Sequence, residues 1–242
     1  QYASEDSPSV RVSGGILPGF KTSTHKQKML SLDNTYSVDD LKAWALRVAK
    51  GLPGEDVAYV VELKIDGLSV NLSYDQGRLV TAATRGDGER GEDVTQNVRK
   101  IKPIPLVLRG KGIPGFVEVR GEVYMDKKDF EALNKQRQDG ILFANPRNAA
   151  SGSLKLLDSG EVAKRKLNFF AHSLGYGEGV KVKSQWEYFL QLKEWGVRTN
   201  PLSKRFSCMD DVIVYCEDLQ GRRDALSYEI DGMVVKVDDF AQ

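Results

Sequence analysis

Apolar residues along this chain recur at two different periods, and the period separates helices from strands. In SVDDLKAWALRVAKG, residues Leu41, Trp44, Ala45 and Val48 share one face, with Ser37 ahead of them, Asp40 three residues later and Gly51 beyond the last turn. That is the signature of a capped amphipathic helix. The same logic predicts helices from about Lys127 to Gln138, over SQWEYFLQLKEWG with Ser184 as cap and Gly196 as stop, and from about Met209 to Leu219. Elsewhere the alternation is that of strands. Ala58 to Leu63, Leu68 to Tyr74 and Leu79 to Thr84 read as a run of hairpins, with Asp75-Gln76-Gly77 as one turn. Gly115 to Met125 reads as a hairpin-like pair, and Leu167 to Ser173 and Glu229 to Val237 as single strands. No internal repeat is visible, and helices do not follow each strand. The pattern predicts an α+β fold with a largely antiparallel sheet and flanking helices, in preference to a doubly wound parallel sheet.

Composition sharpens this picture at the ends and in the choice of partners. Residues 1–19 are rich in Ser, Gly and Pro and read as an arm or linker, followed by one domain over 20–242. The last stretch, EIDGMVVKVDDFAQ, stops just past a strand without a closing turn, so the chain is expected to be part of a longer protein. Basic residues number 35 and acidic ones 34, too even a balance to hold nucleic acid by counterion release alone. A polyanion would need a local patch or further domains. Cys208 and Cys216 fall on one predicted helix without metal-ligand spacing, which predicts a reducing, cytoplasmic setting and no structural zinc. No apolar run approaches the roughly eighteen residues that span a bilayer, so no membrane partner is expected.

Candidate chemistry starts in VVELKIDGLSVNLSY, residues 60 to 74. Simple alternation sends Glu62, Lys64 and Asp66 to one side of a strand that ends at an Asp66-Gly67 turn. Three ionisable groups on one face fit either a solvated edge strand or a nucleophilic amine with its supporting groups. Three other places bear on the choice. The loop TRGDGERGEDVTQN (84 to 97) sets four glycines around Arg85 and Arg90, as a flexible polar loop or as backbone that approaches a phosphate closely. FVEVRGEVYM (116 to 125) aligns Glu118, Arg120 and Glu122 on one strand face, either as plain surface or as the lining of a polar cleft. EIDGMVVKV (229 to 237) repeats carboxylate, Asp-Gly turn and lysine, with Lys236 either an edge gatekeeper or a cleft cation aimed at an anion.

Taken together these stretches resemble the adenylation domain of NAD-dependent DNA ligases. VELKIDG is similar to the nucleotidyltransferase lysine motif, and GEVYM and EIDGMVVKV to two later motifs of that superfamily. HKQKMLSLDNTYS (25 to 37), TRGDGERGEDVTQNVRKI (84 to 101) and FANPRNAASGSLK (143 to 155) resemble the NAD-dependent branch more particularly, and the likeness runs from about Asp6 to Asp239. It implies the antiparallel, ATP-grasp-like fold of DNA ligases and mRNA capping enzymes. It implies that Lys64 takes AMP from NAD as a phosphoramidate with release of nicotinamide mononucleotide. AMP then passes to the 5′-phosphate of a nick in duplex DNA, in replication and repair. By the same resemblance Glu62 reads the adenine amino group, Ser31 and Leu32 lie on the adenosine, Arg85 and Glu122 contact ribose, and Lys236 meets the α-phosphate. Asp66 supports the amine or the metal, and Arg147, Lys155 and Arg223 match basic positions near phosphate or DNA. Magnesium is implied as cofactor, although no spacing singles out a metal ligand, and the protein is expected as a cytoplasmic, nucleoid-associated monomer.

Several positions depart from the family pattern. Lys28 replaces a proline before Met29, which predicts a less rigid segment and an extra charge for phosphate. Lys155 stands for an arginine and loses the bidentate fork. His172 stands for a tyrosine that packs on adenine; it is either structural or a ring that stacks on the purine. Ser227 replaces a proline before YEIDG, and His25 reads as an orienting loop residue. The family's nicotinamide mononucleotide subdomain, OB-fold, zinc finger, helix-hairpin-helix and BRCT regions have no counterpart in these residues. The chain is therefore expected to bind AMP but to adenylate poorly from NAD and not to seal nicks. An ATP- or GTP-dependent nucleotidyltransferase, or a non-catalytic nucleotide- or DNA-binding module, remains the alternative.

Overall fold

A computed structural model describes residues 19–137 and 140–242. The predicted arm, apart from Gly19, and the predicted helix end at Gln138 lie outside the described residues. Every pairing between named strands is antiparallel. The strands divide into separate sheets, however, and that division makes the cleft.

The larger sheet runs in the order β4 (Arg78–Thr84), β3 (Leu68–Asp75), β6 (Phe116–Met125), β7 (Leu167–Glu178). β3 and β4 form the expected hairpin, turning through Gln76 and Gly77, both at positive φ. The smaller sheet runs β8 (Lys204–Phe206), β2 (Tyr59–Ile65), β9 (Ile230–Val237). A two-stranded ribbon joins β1 (Thr22–Thr24) to β5 (Arg90–Glu92). β2 therefore does not pair with β3, against the expected run of hairpins. The link at Asp66-Gly67 carries the chain from one sheet to the other, and β2 finds its partners far away in β8 and β9.

Burial explains why β2 reads as an almost unbroken apolar run. Val60 is fully buried in the core of the larger sheet, whereas Tyr59, Val61 and Leu63 enter the core of the smaller one. A strand covered on both faces needs apolar residues at consecutive positions. The larger core joins Val70, Leu72, Val117 and Val119 of the sheet to Leu192 and Trp195 of the segment 185–195. The smaller core packs β2 against Val212, Tyr215 and Leu219 of α7 (Met209–Gly221). An aromatic cluster ties the two together: Tyr124 of β6 stacks on Phe170 of β7 at 5.1 Å, and Tyr228 meets Tyr124 edge-on at 5.2 Å. Each such contact adds about 1 kcal/mol beyond its buried area.

The remaining helices show what local signals reveal and miss. α1 (Val38–Gly51) and α6 (Gln185–Glu194) begin as their caps predict, with Ser37 accepting from Asp40 N and Ser184 from Glu187 N. α3 (Lys127–Lys135) ends earlier than expected. α2 (Thr95–Val98), α4 (Pro146–Leu154) and α5 (Ser159–Lys164) carry too few large apolar residues to show a period. α4 nevertheless has a cap, Asn145 accepting from Asn148 N, and a proline in its first turn. Cys208 lies just outside α7 as its N-cap residue and Cys216 inside it; both are free thiols. Among the described residues no helix is long and apolar enough to cross a membrane.

Gly115 to Met125 is not a hairpin but the single strand β6, central in its sheet. Gly121 marks a close approach there, not a turn. A Cβ at this position would lie 2.3 Å from Phe169 Cζ and 2.4 Å from the Phe170 carbonyl oxygen. Gly121→Ala is expected to lower the unfolding free energy by about 2 kcal/mol or more, because neither neighbour can retreat from a packed β6–β7 joint. Urea denaturation followed by tryptophan fluorescence measures it; an unchanged midpoint would show that the sheet yields freely at this point.

Candidate active site

The cleft opens where the two sheets separate, and its chemistry begins with an irregularity in β9. Pairing runs Leu63↔Met233 and then Ile65↔Ile230, so Asp231 and Gly232 together stand opposite Lys64. This is a bulge, and Gly232 adopts φ +112°, a conformation that side-chain-bearing residues rarely take. The expected Asp-Gly turn in EIDG is therefore a kink inside a continuing strand. Its effect is to aim Asp231 at the Lys64 ammonium, to which the carboxylate binds directly. That hydrogen bond, and then the charge of Lys64, hold the Asp231 carboxyl below its usual range. Lys64 keeps a side-chain exposure of 38%, so the amine remains reachable from the cleft.

Further along the same two strands lies a second ion pair, this one buried. Glu62 opposes Val234 in the register, which makes Lys236 its diagonal neighbour on one face. Lys236 Nζ approaches Glu62 Oε1 at 2.7 Å and also donates to the His172 carbonyl at 2.7 Å. Gln185 Nε2 donates to Glu62 Oε1 at 3.1 Å and to the His172 carbonyl at 2.7 Å. Burial pushes the Glu62 carboxyl up, and the attraction of Lys236 and the donor of Gln185 oppose that push. His172 lines the same wall. Burial, the Lys236 charge and the Arg120 charge press its imidazole down to about 3, so the ring is neutral at physiological pH.

The third group sits across the cleft on the larger sheet. Ser69 Oγ donates to Glu122 Oε2 at 2.6 Å. Burial pushes the Glu122 carboxyl up to about 7, against the pull of the Ser69 hydrogen bond and of Arg147. Arg147, at the start of α4, donates to Asp66 Oδ1 at 3.0 Å, so the guanidinium comes to the cleft by way of the inter-sheet link.

A segment from Gln27 to Asn34 closes one side of the cavity, whose volume is about 550 Å³. Arg120 fastens it by donating to the Gln27 carbonyl and, at 3.2 Å, to the Lys28 carbonyl, while Lys26 N donates to Glu118 Oε1 at 3.2 Å. The glycine-rich loop after Thr84 holds the same segment. Met29 N donates to the Gly88 carbonyl at 2.8 Å and Arg85 Nη2 to Ser31 Oγ at 3.1 Å. Close approach at Gly86, Gly88 and Gly91 is to Arg90, Met29 and Thr84 carbonyls, so these glycines serve backbone packing within the protein. His25 is buried in this joint, with Nε2 3.2 Å from the Arg85 carbonyl. Lys28, expected to offer a charge to phosphate, pairs with Glu89 at 2.9 Å.

Ser31, Leu32, Glu62, Lys64, Asp66, Arg85, Glu122, Arg147, His172 and Lys236 all line this one cavity. Two expected site residues do not. Lys155 forms an ion pair with Glu92 on β5, and Arg223 donates to the Ile230 carbonyl at 2.8 Å, bracing the start of β9. Asp231 and Gln185 were not anticipated as site residues. The repeated Asp-Gly of IDGL and IDGM was the available signal for Asp231; Gln185, the first residue of a helix, had none. Among the described residues no group of three or more His, Cys, Asp or Glu side chains is placed to hold a metal.

Comparison with known proteins gives the relatives of this chain. The profile of the NAD-dependent DNA ligase adenylation domain matches residues 17–242. A DNA ligase of Chloroflexus aggregans is 49% identical over 98% of this chain and 37% of its own length. DNA ligases of Desulforudis audaxviator and Carboxydothermus hydrogenoformans are each 48% identical over 100% of the chain and 36% of their own length. The chain thus spans little more than a third of the relatives it matches.

The raised Glu122 carboxyl makes stability depend on pH. Folded protein keeps a proton that the unfolded chain releases near 4.5, so stability falls as pH rises from about 4.5 to about 7 and is level for this group above that. Between about pH 5 and about pH 8 the wild type is expected to lose about 2 kcal/mol relative to Glu122→Gln. Urea titrations of both proteins at each pH test this, and parallel profiles would contradict it.

Proposed function

The chain belongs to the NAD-dependent DNA ligase adenylation domain family, and from that premise we propose that Lys64 carries AMP between NAD and DNA in this cleft. The Lys64 amine attacks the α-phosphorus of NAD, a P–N bond forms, and the P–O bond to nicotinamide mononucleotide breaks. The amine must shed a proton, and Asp231 is the acceptor in contact with it. Because Lys64 depresses the Asp231 carboxyl, that proton passes on to water. Asp231 orients the amine more than it stores the proton.

The observation that carries this reading is the convergence of residues from separate stretches of sequence on one cavity around Lys64. The volume, about 550 Å³, suits a nucleotide. Glu62 accepts from the adenine amino group and Lys236 donates to the neighbouring ring nitrogen, a donor–acceptor pair matched to adenine. Lys236 is reassigned here from phosphate to base. It pairs with Glu62 and stands opposite Val60, four residues or about 13 Å along the strand from Lys64. The neutral His172 ring stacks on the purine, Ser31 and Leu32 cover the adenosine, and Arg85 and Glu122 meet the ribose. Asp66 steers Arg147 toward the phosphates. Magnesium, when bound, neutralises charge on those phosphates. Asp66, which lines the cleft, would supply one carboxylate to it, the rest of its shell being water and phosphate oxygens.

Transfer of AMP to the 5′-phosphate of a nick, and closure by the 3′-hydroxyl with release of AMP, is proposed for the whole protein with nicked duplex DNA as partner. Lys155 and Arg223, outside the cleft, are proposed as contacts to the DNA backbone. The 242-residue chain alone is expected to label slowly with NAD.

Mass spectrometry of protein incubated with magnesium and either NAD or ATP tests the reading. A gain of one AMP from NAD and none from ATP is expected. Lys64→Ala should abolish it while leaving AMP binding intact, and Asp231→Asn should slow it by about a hundredfold. Labelling from ATP would favour the ATP-dependent class, and binding without labelling, in the chain joined to the rest of a relative's length, would favour a pure binding module.

A further inference from the structure

Gln185 lies behind the cleft wall, and no step proposed above uses it. Its backbone is held firmly: Gln185 N donates to the Asp238 carbonyl at 2.8 Å and Trp186 N to Asp238 Oδ1 at 2.8 Å, which pins the start of α6 to the end of β9. From there the side chain, in a residue only 4% exposed, spends both amide hydrogens on the joint between the sheets, one on Glu62 Oε1 and one on the His172 carbonyl. Lys236 approaches the same two oxygens from the β9 side. Two donors thus converge on Oε1 of Glu62, while Oε2 has no hydrogen bond among the described residues and is the oxygen left to a ligand.

We propose that Gln185 is a positioning residue that sets purine selectivity: it anchors Glu62 through Oε1 so that Oε2 faces the base as an acceptor. This rests on the base-reading role given to Glu62 above. A carboxylate held in this way accepts from the 6-amino group of adenine and repels the 6-oxo group of a hypoxanthine or guanine. Lys236 alone does not provide the same control, since an ammonium is a rotatable point charge, whereas a carboxamide is planar and directional. Without the Gln185 donor, burial would drive Glu62 further toward its protonated form, whose O–H is able to donate to a 6-oxo purine.

The test is calorimetric titration of the 242-residue chain with AMP and with inosine monophosphate, which differ in the group at C6. Gln185→Met keeps the length of the side chain and removes its donors; Gln185→Glu keeps the shape and replaces the amide by a carboxyl. Wild-type protein is expected to prefer AMP. Both variants should lose about tenfold in AMP affinity while inosine monophosphate binding holds or improves, so that the preference falls by at least that factor. Circular dichroism and the thermal midpoint check folding, and the isosteric Gln185→Glu carries the test should Gln185→Met unfold. If both nucleotides weaken together, or the preference survives, Gln185 is only structural and the proposal falls. A wild type without preference for AMP would overturn the base-reading role of Glu62 and this inference with it, whereas a failure confined to the variants leaves that role standing.

Discussion

A carboxylate buried at the joint of two sheets has to be partnered, and the arrangement of this protein follows from how Glu62 meets that requirement. Desolvating a charge costs several kcal/mol, and removing one partner of such a pair costs about 3–5 kcal/mol. Glu62 therefore needs both Lys236 and Gln185 at hand, and supplying them requires β9 beside β2 and the start of α6 behind both. The His172 carbonyl accepts from the same two donors, which locks β7 of the larger sheet to β9 of the smaller. An apolar substitute of equal volume would hold the sheets together about as well. An ion pair in that place instead leaves a polar wall facing the cleft.

The second polar pair depends on a different device. Lys64 and Asp231 are partly exposed, so their attraction alone adds little to stability. Backbone geometry brings them together instead. The bulge at Asp231-Gly232 breaks the alternation that would otherwise point this carboxylate elsewhere, and the glycine absorbs the φ that no other residue takes easily. Strand β2 thus carries two polar positions with two kinds of support. Glu62 is secured by burial and hydrogen bonds, and Lys64 is held by one carboxylate and stays partly exposed to the cleft.

Opposite the strands, a segment with little regular structure of its own acquires a fixed course. Residues 25–31 are held by carbonyl and amide contacts from Arg120, Glu118, Gly88 and Arg85. Glu118 and Arg120, aligned on one face of β6, project into this joint instead of lining an open polar surface. The glycines of the loop 84–91 allow its backbone to press against that segment and against itself. The cleft is in this way bounded by two rigid sheets on one side and by a tied strap on the other.

Much of this was legible in the sequence. The helix caps at Ser37 and Ser184, the β3–β4 hairpin and the antiparallel class follow from near-neighbour chemistry, which acts through the chain itself. Lys64, Glu62 and Asp66 stood out because a charged triplet interrupts an apolar strand. The sequence could not show that β2 leaves the run of hairpins, because Asp66-Gly67 serves equally as a tight turn or as a link between sheets. Nor could it tell that Gly121 makes room for Phe169, that Lys155 and Arg223 turn to Glu92 and to the Ile230 carbonyl, or that Lys236 belongs with Glu62 rather than Lys64. Gln185 is the clearest case: 123 residues separate it from Glu62, and no local pattern marks a glutamine at a helix start as the anchor of a distant carboxylate. Local order is written in neighbouring side chains, whereas the partners of Glu62 were decided only when two sheets and the start of α6 closed over it.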